Sequence, residues 1–233
     1  MRRPRRTKTT PLLTRDFLPR KKTNKLSLKE MKLFVFPLGQ SLLHPGSSKP
    51  LNVYEPRYLR MVRDSLDENT PIAVGFGEQP ELEIKTENGM SVPFLREVVG
   101  FGYPEVLEQR MDGSMLILIP CEGKARLGPI VDDRRPYLVV EGRRVEEKTE
   151  LEASHAIAYL NLQRLLVRWI GTHIQDQQIQ DQFVNTLRGP IEVVGAAVSY
   201  LVKDADLQQE ILELNDINGK IDFIGRVLVS GGL

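Results

Sequence analysis

Acid–base, nucleophilic and metal chemistry needs histidine, cysteine, activated serine or paired charges in workable spacings, and this chain offers few of them. His44, His155 and His173 stand far apart, and none belongs to a two-histidine helical pair or a Cys/His cluster, so no metal site is expected. His44, just ahead of Pro45, reads as a solvated or loop-packing histidine, with a catalytic base as the alternative. His155 and His173 read as surface or interhelical residues. Cys121 closes the run Leu116-Ile117-Leu118-Ile119-Pro120 and reads as buried filler rather than as a nucleophile. Ser47 and Ser48 beside Lys49 have the composition of a Ser/Lys dyad, but the glycine and prolines around them favour a turn. No Gly-x-Ser-x-Gly elbow is present. Lys124 and Lys220 each follow a glycine but lack the upstream glycine and the following hydroxyl of a phosphate loop. Gly75-Phe76-Gly77 and Gly100-Phe101-Gly102 lack the rest of a dinucleotide fingerprint and read as strand ends or bulges. The expectation is a protein that is not an enzyme and takes no cofactor.

Charged and apolar residues remain as candidates for binding. Glu55 and Arg57 could form an acid/anchor pair; the structural reading puts Glu55 at a helix N-terminus and has Arg57 bridging to a neighbouring strand. Arg126 reads the same way, as an ion-pair partner at a strand end. Phe94, Phe101 and Tyr103, with Met90 and Met111 at hairpin positions, could receive apolar segments of a partner, or could simply fill a core.

The elements that must position these residues fall into two regions. Residues 31–147 are rich in short strands. Leu33–Leu38 ends in Pro-Leu-Gly, and residues 44–48 turn into a second strand at Leu51–Tyr54. Pro56 suits the first turn of a helix, with Leu59, Val62 and Leu66 at helical spacing, until Asn69-Thr70-Pro71 stops it. Asn88-Gly89 and Asp112-Gly113 each separate two apolar runs and mark hairpins. With further strands near Lys124–Ile130 and Tyr137–Val145, seven or eight strands and one embedded helix point to a compact, partly closed barrel. After Val145 the period becomes helical. Thr149 and Glu152 fit a capping box opening a helix that Gly171 ends. Pro190 opens a further helix, Asp206 caps another weakly, and Ile217, Ile221, Ile224 and Leu228 form a last stripe. The fold class is α+β, a barrel followed by a helical bundle over residues 148–233.

Composition agrees with a globular chain: 233 residues, 41% hydrophobic and 27% charged. No apolar run reaches the length of a membrane-spanning helix. A single cysteine excludes an intramolecular disulfide and suits a reducing, cytoplasmic setting. The formal net charge of +1 conceals an asymmetry. Residues 1–30 hold eleven Lys/Arg against Asp16 and Glu30, a net of +9, so the rest of the chain carries −8. Residues 1–30 read as a disordered basic tail: a nucleic-acid arm, an anionic-membrane contact, a targeting peptide, a solvated extension, or sequence ahead of a natural start at Met31.

Phe36-Pro37-Leu38-Gly39 followed by Tyr54-Glu55-Pro56-Arg57-Tyr58 resembles the opening of the N-terminal substrate-binding domain of Lon proteases. Val99-Gly100, Asp112-Gly113, Glu122-Gly123-Lys124-Ala125-Arg126 and Pro136-Tyr137 are similar to that family's later strands, and Leu207–Leu214 to a turn near its C-terminal helices. The resemblance spans 33–228 and implies a PUA-like β-barrel followed by a helical bundle, with Glu55, Pro56, Arg57, Tyr58, Gly123 and Arg126 as structural motif residues. The chain departs from the family at His44 and across 77–94. With no ATPase or peptidase module following, it resembles the recognition module standing alone. The resemblance implies protein or peptide substrates and an accessory role in proteolysis or quality control, with a separate protease as one partner. The alternative is RNA or DNA binding, through the PUA-like barrel and the basic tail.

Overall fold

The computed structural model describes residues 30–229 except 40, 86–90 and 133, with the backbone alone for 78–85 and 91–94. The first strand, β1 (Glu30–Leu38), pairs antiparallel with β9 (Leu138–Val145) and parallel with β3 (Ile72–Lys85). Strands β8 (Gly123–Ile130) and β5 (Val98–Gly102) complete the circuit β1-β9-β8-β5-β3, and the β1–β3 pairing closes it into a five-stranded barrel. Strand β4 (Ser91–Leu95) extends β3 outside the barrel. A second sheet has the order β2 (Ser48–Val53), β7 (Met115–Pro120), β6 (Glu105–Gln109). The crossover between parallel β1 and β3 contains β2 and helix α1 (Pro56–Glu68).

The continuous apolar run of β1 follows from burial on both faces. Leu33 and Val35 join Ala73, Val99, Phe101, Ala125, Leu138 and Val140 in one core. Phe34 and Phe36 point the other way, into a second core with Met61 and Val62 of α1 and Met115, Ile117 and Ile119 of β7. Strand β9 divides likewise, with Leu138 and Val140 in the first core and Val139 in the second. Alternating side chains therefore make the barrel wall a partition between two apolar layers.

Pro56 occupies the first turn of α1, where its missing N–H costs no hydrogen bond. Leu66, expected on the apolar stripe, is exposed; Tyr58, Met61, Val62 and Ser65 are the buried positions. Residues 72–85 form the single long β3, which runs unbroken into the first arm of the expected Asn88-Gly89 hairpin. Its partner β4 follows Asn88-Gly89, whose expected turn lies outside the described residues. The Asp112-Gly113 turn is present between β6 and β7: Gly113 has φ +84°, and Asp112 Oδ1 accepts from the Ser114 backbone N–H at 2.9 Å.

Helices α2 (Ala156–His173), α3 (Gln177–Thr186), α4 (Pro190–Leu201), α5 (Ala205–Glu213) and α6 (Ile217–Val229) follow the strands. Helix α4 is central, with every residue from Val193 to Val198 buried, and it packs on Leu162, Leu166 and Ile170 of α2 and Ile221 and Ile224 of α6. The Thr149 capping box does not form. Residues 153–155 make a short 3-10 turn and α2 starts at Ala156. The backbone before it is committed elsewhere: Lys148 N–H donates to Asn215 O at 2.8 Å and Ile217 N–H to Lys148 O at 2.9 Å. The Asn218 side chain accepts from Glu152 N–H at 2.9 Å and donates to Glu150 O at 3.0 Å. These bonds hold 148–152 extended. The far end also differs, since α2 passes through Gly171 to His173. The cap of α5 is Asp204, whose carboxylate accepts from Leu207 N–H at 3.0 Å, two residues before the expected Asp206.

Candidate functional site

The motif residues have structural positions. Glu55 is the N-cap residue of α1 but makes no side-chain cap bond; it pairs with Arg57 at 2.8 Å. Arg57 does not reach a neighbouring strand, because the residues two apart around Pro56 put both charges on the same exposed turn. The Arg57 guanidinium lies 4.6 Å from the centre of the Tyr58 ring, which stacks on Phe36 at 4.3 Å. Arg126 pairs with Glu97 across the β5–β8 edge. Gly123 has φ +156°, and a Cβ there would stand 3.1 Å from the Arg144 guanidinium. The pair expected at Arg126 and the Glu55–Arg57 pair found in place of an Arg57 bridge to a strand are both surface features, worth little individually.

The apolar candidates separate by exposure. Phe101 is 1% exposed, packed in the barrel core, and presents no surface to a partner. Its place on a strand buried on both faces accounts for this. Tyr103 is 39% exposed and Met111 is fully exposed. Met90 and the Phe94 side chain lie outside the described residues. Between Tyr103 and Met111 runs β6, every residue of which is exposed. Val106 and Leu107 were missed in the sequence because a short strand open on both faces has no burial period to reveal it.

Strand β6 is the end strand of its sheet and, among the described residues, hydrogen-bonds only with β7. The register passes from Val106↔Ile117 to Glu108↔Leu116, so Leu107 is an extra residue in a bulge. Leu107 is 56% exposed. The result is an unpaired strand edge flanked by Tyr103, Val106, Leu107 and Met111, geometry suited to a polypeptide laid alongside it.

A second feature is the junction of barrel and bundle. His44 is buried, not solvated, because the loop following β1 is pressed against α4. A Cβ at Gly46 would sit 2.3 Å from the Ile191 carbonyl oxygen, and one at Gly195 would sit 2.3 Å from that of Pro45. The His44 Nε2 atom has no hydrogen-bond partner. Burial, then the positive charges of Lys220, Lys124 and Lys49, bring its pKa down to about 3. It is a neutral packed ring at ordinary pH.

Lys124 of β8 is 1% exposed and donates to Leu212 O at 2.8 Å and also to Leu214 O, at the C-terminal end of α5. An ammonium there satisfies carbonyls that the helix leaves unpaired and complements its dipole. Glu147 carries the balancing charge, 3.4 Å from Lys124 and 2.6 Å from Lys220 of α6. Burial and the neighbouring Lys220 lower the Lys124 pKa to about 8, and burial lowers that of Lys220. Gln209 Nε2 adds a bond to Val98 O at 3.0 Å. Beside this network is a cavity of about 350 Å³ lined by Gly46, Cys121, Lys124, Arg144, Glu147 and Ile191. The Cys121 thiol, raised to about 12 chiefly by burial, is no nucleophile at neutral pH.

The remaining titratable candidates are local. His155 Nε2 lies 3.2 Å from Asp222, tying the start of α2 to α6, and His173 stacks on Trp169 at 4.4 Å. Ser47 Oγ donates to His44 O at 2.8 Å, closing the turn. Among the described residues no group of three or more His, Cys, Asp or Glu could hold a metal, and no helix is long and apolar enough to cross a membrane.

Comparison with known proteins gives the same architecture. A crystal structure of a Lon N-terminal domain protein from Xanthomonas campestris is similar with a TM-score of 0.58 and 20% identity, covering 85% of this chain and 98% of that one. The N-terminal domain of the Mycobacterium avium complex Lon protease gives 0.64 and 14%, covering 87% and 100%. No curated protein matches. The ATP-dependent protease La (LON) substrate-binding domain family matches residues 32–229, from the first strand to the last helix. The chain therefore belongs to the Lon substrate-binding domain family.

Proposed function

We propose that this protein is a non-enzymatic recognition module that captures partner polypeptides on the exposed edge of β6 and acts as an adaptor or accessory factor in proteolysis or quality control, delivering them to a separate protease. The observation that carries the reading is the combination of an open hydrogen-bonding edge on a fully exposed end strand, the exposed Val106 and Leu107 on it, and the exposed Tyr103 and Met111 just beyond its two ends. An extended segment added there gains main-chain hydrogen bonds with little sequence dependence, while apolar contacts favour unfolded or apolar stretches. Family membership supports a protein substrate. The nucleic-acid alternative draws on the PUA-like barrel as well as on residues 1–30, of which 1–29 lie outside the described residues, and neither the family match nor the similar structures support it.

The test is binding of a fluorescent, permanently unfolded polypeptide. Tyr103→Ala combined with Leu107→Asp should weaken capture at least about fivefold, a loss of about 1 kcal/mol, at unchanged melting temperature, because both side chains are exposed. Phe101→Ala should instead cost about 3–5 kcal/mol of stability, as expected for a buried aromatic. Full capture by the folded double variant would refute the β6 site.

A further inference from the structure

An adaptor needs a second surface, and the bundle has one that the capture site leaves unused. Helix α2 contains no carboxylate over its 18 residues, while Arg164 and Arg168 project from its exposed side. Neither arginine makes an ion pair among the described residues. At 3.6 residues per turn they lie within about 40° of each other around the helix, a turn apart, with Leu165 on one flank and Leu160 and Val167 on the other. These flanking residues are all exposed, and Ile157, in line with the arginines about two turns before Arg164 and three before Arg168, is 75% exposed. Against the same face is an apolar groove of about 280 Å³, lined by Leu165, Arg168, Trp169, Thr172, Leu201 and Leu228.

We propose that this face of α2, with the groove beside it, docks an acidic amphipathic segment of a partner protein. The segment would place one bulky apolar side chain in the groove and carboxylates on Arg164 and Arg168. The charge decides the occupant. Two guanidinium groups one turn apart match carboxylates spaced three or four residues along a helix, and each arginine is free to take one in a bidentate pair. A second copy of this chain meeting the face about a two-fold axis would bring like charges together. An anionic lipid surface would answer the charge but not the concave groove, which is shaped for a single side chain rather than for a flat interface. The proposal goes beyond the capture of polypeptide at β6 and places the adaptor's other partner on a separate domain.

The test measures fluorescence anisotropy of labelled synthetic helical peptides of about 18 residues with the full 233-residue chain. Two carry Glu between apolar anchors, with Leu or Trp as the central anchor; a third has Lys in place of every Glu. The acidic peptides should bind at least about tenfold more tightly than the Lys peptide and lose affinity as salt is raised. Arg164→Glu with Arg168→Glu should reverse that preference, and Leu165→Asp should weaken both acidic peptides at an exposed site that folding does not require. Capture of the unfolded polypeptide at β6 should be untouched by these variants, so the two sites fail or succeed separately. The proposal is overturned if neither acidic peptide binds by about 1 mM, if both charges bind alike, or if the reversed variant keeps the original preference. It is equally overturned if the arginines instead support binding to phosphatidylserine-containing vesicles, or self-association in sedimentation.

Discussion

His44 is the residue whose setting has the clearest physical consequence. Its ring is 2% exposed, Nε2 is unpartnered, and its pKa is about 3 against an ordinary value of 6.5. Between those two values the unfolded chain holds a proton that the folded chain does not. The contribution to stability is present above about pH 6.5 and is lost as pH falls through that window. His44→Leu should therefore flatten the acid side of the stability profile, removing up to about 1.4 kcal/mol per pH unit near pH 5. At neutral pH the variant should be no less stable, because an unpaired polar atom gives way to an apolar one of similar bulk. Urea unfolding at a series of pH values checks this; parallel profiles for the two proteins would rule it out. Nothing in His44-Pro45-Gly46 announces burial, since the cover comes from α4, nearly 150 positions later in the chain. Phe101 and Tyr103 make the same point: two positions apart on one local pattern, one fills the barrel and the other faces solvent.

At the scale of elements, those specified by neighbours in sequence were legible and those specified by distant partners were not. Pro56 and Pro190 open helices because a fixed φ and a missing N–H suit a first turn in any context. The start of α2 was misplaced because Thr149 and Glu152 satisfy a local rule, while Asn218, some seventy residues away, takes the backbone groups that a cap would need. Asn218→Ala should cost about 1–3 kcal/mol by leaving Glu150 O and Glu152 N–H without their partner. The lower urea midpoint should come with an unchanged m-value, since Asn218 orders a connection without changing the surface exposed on unfolding. Strand β6 was legible as half of a hairpin through Asp112-Gly113, but its place at the edge of a sheet depends on β2 taking the other side of β7.

For the whole molecule, the buried junction makes barrel and bundle mechanically dependent. Leu42 of the loop after β1 and Phe76 and Val98 of the barrel share an apolar cluster with Leu212 of α5, and Lys124 donates to the Leu212 carbonyl near the end of that helix. Loop and helix meet backbone to backbone at Gly46, whose φ of +82° and lack of a side chain both matter. Gly46→Val should force the contact apart. The expected outcome is two unfolding transitions where the intact junction should give one, with limited proteolysis between residues 146 and 155 at least about tenfold faster, because that connection is extended and exposed once undocked. One unsplit transition and unchanged cleavage would show that the junction tolerates separation at this point. The docking surfaces proposed at β6 and on α2 belong to different halves, so the same variant tests whether their relative placement matters to the proposed delivery.

By itself the sequence determined the α+β class, the order of strands before helices, the helices opened by proline, the turn at Asp112-Gly113 and, through Phe36–Gly39 and Tyr54–Tyr58, the family. These depend on periodicity and on backbone preferences of adjacent residues, which act before the chain collapses. Only the tertiary structure decided that β1 pairs in parallel with β3 to close the barrel, that His44 and Lys124 are buried, and that Val106 and Leu107 on β6 and Ile157, Leu160, Leu165 and Val167 on α2 are left exposed. Each of those is a contact between segments separated by tens of residues, and burial is a property of what covers a side chain rather than of the side chain.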